Sequence, residues 1–253
     1  RDADAVHMTL GQLAEERKDW DGAIAWYRKV QTGEQAVAAR LRTANVLAKQ
    51  GRLEEGRRLL RGTEPGTPQQ AIQLVIAEAQ LLREANRHRE AFDLLGEALA
   101  KSPDQPDLLY DHALTAEKLD RADVLEANLR KLIQVRPDHA HAYNALGYSL
   151  ADRNQRLPEA RKLIERALEI APDDFYIVDS MGWVLYRMGD LKGAARYLRR
   201  AWEGRPDAEI GAHFGEVLWM LGERGEAQRI WKEAMEVNPD NETLQKTIQR
   251  LKK

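Results

Sequence analysis

The chain contains no cysteine, which excludes disulfides, thiol catalysis and thiolate metal sites. Serine is nearly as scarce: Ser102, Ser149 and Ser180 are the whole supply, and none sits in a glycine-rich nucleophile elbow. No glycine loop of the phosphate-binding kind occurs. No apolar run approaches the roughly 18 residues that a membrane-spanning helix needs. Neither sign of charge dominates. The net value of −2 gives the chain as a whole no pull toward nucleic acid or anionic lipid. The sequence opens on Arg1, so the lack of a signal peptide says nothing of where the protein works.

What is present is a helical rhythm. Charged residues make up 32% of the chain and apolar ones 43%, a balance that suits helices with one wet face each. In the stretch from Ile177 to Pro206, Val178, Met181, Gly182 and Leu185 fall on one helical face. Gly189 can take the left-handed backbone that ends such a helix. A second stripe follows at Leu191, Ala194, Leu198 and Ala201, and Pro206 stops it. Neither helix can bury its stripe alone. The same pattern returns at Phe214, Gly215, Leu218, Gly222, Ala227, Trp231 and Ala234, and precedes it at Tyr143, Leu146, Gly147, Leu150, Ala160, Ile164 and Ala167. Pro103, Pro137, Pro172, Pro206 and Pro239 stand 34, 35, 34 and 33 residues apart. The pattern resembles the tetratricopeptide repeat, a helix–turn–helix unit of about 34 residues.

That resemblance implies an all-α fold: an α-solenoid, wound as a right-handed superhelix, of about seven helix pairs plus a C-terminal capping helix. The expected repeats cover about 4–37, 37–70, 72–105, 106–139, 140–174, 175–207 and 208–240, with the cap at 241–253. Gly51, Asn86, Asp120, Asn154, Gly189 and Gly222 recur at the turn within a repeat, where a positive φ is expected; Lys18 breaks the series. After each repeat-ending proline, an aspartate is expected to cap the next helix. Gly62 to Pro68 is loop-like, so the second helix of repeat 2 should be short, with a kink to follow. Leu125 and Leu132 replace small residues in repeat 4, which predicts a local change in helix spacing. Repeat 5 carries one extra residue in its turn, around Asp152 to Gln155. No cap precedes Val6 and Leu10, so further repeats upstream are expected, and self-association through that uncapped face is open.

In the family, positions 2, 5, 9, 12 and 13 of each first helix line the concave groove. Here they give an aromatic track of Tyr110, Tyr148, Trp183, Tyr186 and Trp219, joined by Asn144, Asp179, Arg187 and Glu216. Tyr and Trp offer large area with few rotors, as peptide anchors need. Asp179, Glu216 and Arg187 would orient the ligand, and the excess of acid favours a neutral or basic segment. These residues form the candidate peptide- and protein-binding groove. On this reading Trp183→Ala weakens partner binding and leaves helical content intact. The first three repeats are blander, with Leu41, Asn45 and Lys49, then Ile76, Gln80 and Arg83. The paired Lys and Asn pattern that clamps a terminal carboxylate in some members is missing.

Catalytic readings fare poorly. His139 and His141 would diverge at a helix start rather than share a metal, and His112 beside Asp111 falls on a core-facing position with no nucleophile near. Arg57, Arg58 and Arg61, like Arg196, Arg199 and Arg200, read as solvated outer faces. No catalytic residue, metal or cofactor is assigned, and the chain reads as a non-enzymatic scaffold. A second resemblance covers about 107–240. It is carried by Leu108-Leu109-Tyr110, Ala116-Glu117-Lys118-Leu119, Asn144-Ala145-Leu146-Gly147-Tyr148-Ser149-Leu150-Ala151-Asp152-Arg153, Asp179-Ser180-Met181-Gly182-Trp183-Val184-Leu185-Tyr186 and His213-Phe214-Gly215-Glu216-Val217-Leu218-Trp219. These strings resemble proteobacterial outer-membrane tetratricopeptide lipoproteins. At least one such lipoprotein is an adaptor that brings a periplasmic carboxy-terminal-processing protease to substrates that include cell-wall hydrolases. The resemblance implies a periplasmic location, a lipid anchor lying outside this sequence, and protein partners of that kind. A chaperone-like part in a secretion or polysaccharide-export assembly, or a cytoplasmic adaptor, is the alternative.

Overall fold

A computed structural model of the chain describes residues 2–31 and 33–252. Those residues are all-helical and form two compact units, Arg1–Asn128 and Leu129–Lys253. The first unit holds α1 (Asp2–Glu16), α2 (Trp20–Tyr27), α3 (Gly33–Lys49), α4 (Leu53–Arg61), α5 (Pro68–Glu84), α6 (His88–Lys101) and α7 (Pro106–Lys118). Helix α8 (Ala122–Val135) begins in it and ends in the second. The second continues with α9 (Ala140–Asp152), α10 (Leu157–Ile170), α11 (Phe175–Arg187), α12 (Leu191–Gly204), α13 (Ala208–Met220), α14 (Arg224–Val237) and α15 (Glu242–Leu251).

Within each unit the second helix folds back on the first across a short turn, and the first helices of successive pairs touch. A small residue where the two helices of a pair cross makes this possible. A Cβ added at Gly182 would lie 2.5 Å from Leu198 Cγ, and one at Gly147 would lie 2.9 Å from the Ala160 carbonyl. Larger side chains there would force the helices apart. Gly56 obeys the same rule from the second helix, since its Cβ would meet the Ala44 carbonyl at 2.8 Å. The departure from alanine at this position is therefore steric. Leu125 and Leu132 are fully enclosed and fill their layers.

The turns follow the expected phase. Asn86, Asp120 and Asn154 have φ of 54–57°, and Gly51, Gly189 and Gly222 have φ of 77–89°. The longer turn of the fifth pair runs from Arg153 to Arg156 and puts Arg156 as well as Asn154 in the left-handed region. Lys18 also sits there, with φ 59°, so the break in residue type is not a break in conformation. A Cβ in that region costs roughly 1–2 kcal/mol, against about 0.5–1 kcal/mol for the looser unfolded chain of a glycine. Lys18→Gly is expected to stabilise the first unit by about 0.5–1 kcal/mol, read as a raised thermal midpoint; a lowered midpoint contradicts this.

Two expectations need correction. The aspartate after the repeat-ending proline caps the next helix only at Asp207, which accepts from Glu209 N at 2.9 Å. Elsewhere the cap falls one residue later, at Gln105, His139, Asp174 and Asn241, because the Pro-Asp pair is spent in the turn. Helix α3 starts at Gly33 and α5 at Pro68, ahead of the expected boundaries at 37 and 72. Pro68 has its φ set for a first helical turn, and Thr67 caps it by accepting from Gln70 N at 3.1 Å. Helix α4 is nine residues long, as the Gly62–Pro68 loop foretold. Helix α2 is shorter still, at eight.

Candidate protein-binding groove

In the first unit the groove positions line an open cleft. Leu41 and Asn45 on α3 face Ile76, Ala77 and Gln80 on α5 across a space of about 470 Å³. Leu41, Asn45, Ile76 and Ala77 are half-buried and Gln80 is exposed. The floor is apolar and the rim carries amides. Such a surface can bury an aliphatic side chain and hydrogen-bond an extended backbone.

The second unit treats the same positions differently. Asp179 on α11 lies 2.9 and 3.0 Å from His213 Nδ1 on α13, and the Tyr148 hydroxyl on α9 lies 3.3 Å from His213 Nε2. Burial alone would push the His213 imidazole down, but the adjacent Asp179 carboxylate outweighs it and raises the imidazole above its ordinary value. When protonated, the ring donates from Nδ1 to Asp179 and from Nε2 to Tyr148. It also stacks on Trp183, with centroids 4.2 Å apart. Trp183 donates from Nε1 to Asp152 at 3.2 Å. Tyr186 donates to Glu216 at 2.9 Å, and Arg250 of α15 donates to the other Glu216 oxygen at 2.7 Å. Burial, then the Glu216 charge, raises the Tyr186 phenol to about 12. Arg187 closes the end of α9 by donating to the carbonyls of Ala151 and Asp152.

Side chains from α9, α11, α13 and α15 thus meet one another over the inner wall. Trp183 is 6% exposed, Asp179 5% and Glu216 4%, so none presents a face to a ligand. The expectation that Trp183 is an accessible anchor, removable without loss of structure, does not hold: the ring is core. Tyr148, Tyr186, Arg187 and Trp219 stay half-buried at the surface of this layer. Trp219 packs on Trp231 and lies under the Arg224 guanidinium. Asn144 is also half-buried, and its Oδ1 takes no hydrogen bond among the described residues. Tyr110 belongs to the first unit, half-buried on α7.

Sequence reasoning missed His213, Asp152 and Arg250 as partners of the groove positions. The available signal was a histidine 34 residues, one repeat, after Asp179. Arg57, expected to be solvated, is buried and pairs with Glu78 at 3.0 Å, which Arg61 also contacts. His139 caps α9 through Nδ1, and its ring sits 6.5 Å from that of His141. His112 stacks on Phe92, bonds Asn128, and is held below its ordinary value by burial. Among the described residues no group of three or more acids and histidines is placed to hold a metal ion. None of their helices is long and apolar enough to cross a membrane.

Comparison with known proteins agrees with this geometry. The family model "Tetratricopeptide repeat" matches residues 110–175. The chain is 44% identical over 248 residues to the TPR repeat-containing protein PA4667 of Pseudomonas aeruginosa; the match spans 98% of this chain and 42% of that relative. A tetratricopeptide repeat protein of Parabacteroides merdae shares the fold over the full length of both chains, with a TM-score of 0.74 at 14% identity. TTC0263, a thermophilic TPR protein of Thermus thermophilus, does so over 71% of this chain and 97% of its own, with a TM-score of 0.63 at 22% identity. The described helices pair as tetratricopeptide repeats do, the repeat model matches residues 110–175, and the chain is similar over 98% of its length to the Pseudomonas aeruginosa TPR repeat-containing protein, of which it spans 42%.

Proposed function

We propose that this chain is a non-catalytic scaffold that receives an extended segment of a partner protein on its inner wall, chiefly in the cleft between α3 and α5. Proteins built from these repeats generally mediate protein–protein interactions and are generally non-catalytic. The observation that carries the reading is the accessible apolar floor of Leu41, Ile76 and Ala77 beside the amides of Asn45 and Gln80. In the whole protein, of which this chain would be a part, the scaffold serves as an adaptor on the periplasmic side of the outer membrane. It brings a carboxy-terminal-processing protease to substrates such as cell-wall hydrolases. Support for that finer role is the likeness of the strings around Tyr148, Trp183 and Trp219 to adaptor lipoproteins.

The test is a titration of the purified protease from the same organism against the chain. Ile76→Asp places a carboxylate on the half-buried cleft floor and is expected to weaken binding about tenfold or more. Its thermal midpoint should fall by only a few degrees, because Ile76 is half-buried and packs on the edge of the core cluster rather than inside it, so binding is compared at a temperature where both proteins are folded. Equal affinity of parent and variant removes the cleft from the binding surface. No binding by the parent removes the adaptor role.

A further inference from the structure

The arginines of this chain are mostly engaged. Arg52 holds both oxygens of Glu55, Arg57 and Arg61 share Glu78, and Arg87 pairs with Glu54 and Glu90. Arg28, Arg40 and Arg58 differ: among the described residues they take no carboxylate, carbonyl or ring partner. All three line one cleft of about 640 Å³ where the end of α2 meets α3 and α4. Arg28 and Arg58 are exposed and Arg40 is half-buried.

This cleft is not the inner one. Helix α3 contributes Arg40, Thr43 and Leu47 to it, spaced by three and four residues, whereas Leu41 and Asn45 face the inner cleft from the other side of the helix. Leu59, half-buried, gives it an apolar patch. A neighbouring cleft of about 670 Å³ shares Gln31 and Arg40 in its lining, so the two adjoin. Among the described residues, the acids lining the two clefts are Glu55, already taken by Arg52, and Glu64 in the neighbouring cleft. The described lining is therefore positive on balance in a chain whose net charge is −2.

We propose that this outer cleft is a second docking site, and that its occupant is an acidic polypeptide segment carrying an aliphatic residue. Guanidinium forks match carboxylates in geometry and charge, and three unpaired forks around one hollow leave that role open. The apolar patch decides the class of partner. An aliphatic side chain gains by covering Leu59, while a nucleic acid or sulfated sugar would leave it uncovered. The inner cleft, with its amide rim, suits a segment of different character, so one partner could use both sites or two partners could bind together.

Fluorescence anisotropy with the full chain tests this. The probe is a short labelled peptide of glutamates around a central leucine pair, beside a lysine-for-glutamate version and a single-stranded oligonucleotide of equal charge. The parent should bind the glutamate peptide, ignore the lysine peptide and bind the oligonucleotide more weakly. The triple variant R28Q/R40Q/R58Q should lose about tenfold or more in affinity. Arg58→Gln alone, an exposed change that leaves the fold in place, should lose about threefold. Arg196→Gln, in the second unit, should change nothing. Equal binding by parent and triple variant overturns the site, as does no binding by the parent. Oligonucleotide binding as tight as that of the peptide overturns the class of partner.

Discussion

Trp183→Ala is expected to destabilise the second unit by about 3–5 kcal/mol, the range for truncating a large buried ring. The indole is 6% exposed and meets four partners: the His213 ring at 4.2 Å, Tyr186 at 5.1 Å, the Asp152 carboxylate at 3.2 Å and the Arg187 guanidinium at 5.9 Å. Alanine removes two ring contacts and leaves Asp152 without its indole donor. The effect should appear as a thermal midpoint lowered by many degrees, with earlier loss of helical signal in urea. Trp183→Phe keeps the stack and loses only the N–H, so about 1 kcal/mol is expected. An alanine variant as stable as the parent would mean that the inner wall of this unit is not packed as described.

Asp179→Asn should cost a similar amount, about 3–5 kcal/mol, because it leaves a buried imidazolium without its counter-charge. This loss depends on pH, and its sign follows from the direction of the His213 shift. His213 is raised in the folded state, with burial opposing and the Asp179 charge prevailing. Its contribution is therefore fully present below the unfolded value of about 6.5 and is lost as pH rises through the folded value. The gap between parent and Asp179→Asn should be widest in mild acid and should close toward alkaline pH. Thermal midpoints of both proteins across that range check it. A gap that widens with rising pH contradicts the charged assignment of His213.

Much of the fold was legible because it rests on local rules. Helical spacing of apolar residues gave the pairs, and Asn86, Asn154, Gly189 and Gly222 marked turns whose backbone only certain residues tolerate readily. Lys18 was illegible for the same reason: a lysine does not announce a left-handed backbone, and here the turn's closure imposes it. The brevity of α2 was equally hidden, since Gly33 rather than a proline restarts the chain.

The groove was legible in register but not in depth. Position numbering put Asp179, Trp183 and Glu216 on the groove side of their first helices, and on those helices all three are buried. Whether such a wall is open depends on what the neighbouring first helices send toward it. In the second unit Tyr148 reaches from α9 to His213 on α13, and Arg250 reaches from α15 to Glu216, so the hollow is filled by the protein itself. In the first unit Leu41, Asn45 and Ala77 are shorter and leave space. Pairings of this kind join residues 30 or more positions apart, and no local pattern encodes them.

The most direct measurement is one titration of the proposed partner, a carboxy-terminal-processing protease, against the parent, Ile76→Asp and Trp183→Phe. The account predicts that Ile76→Asp loses about tenfold or more while Trp183→Phe binds as the parent does. Binding that survives Ile76→Asp and fails in Trp183→Phe would place the partner on the aromatic wall and contradict the account.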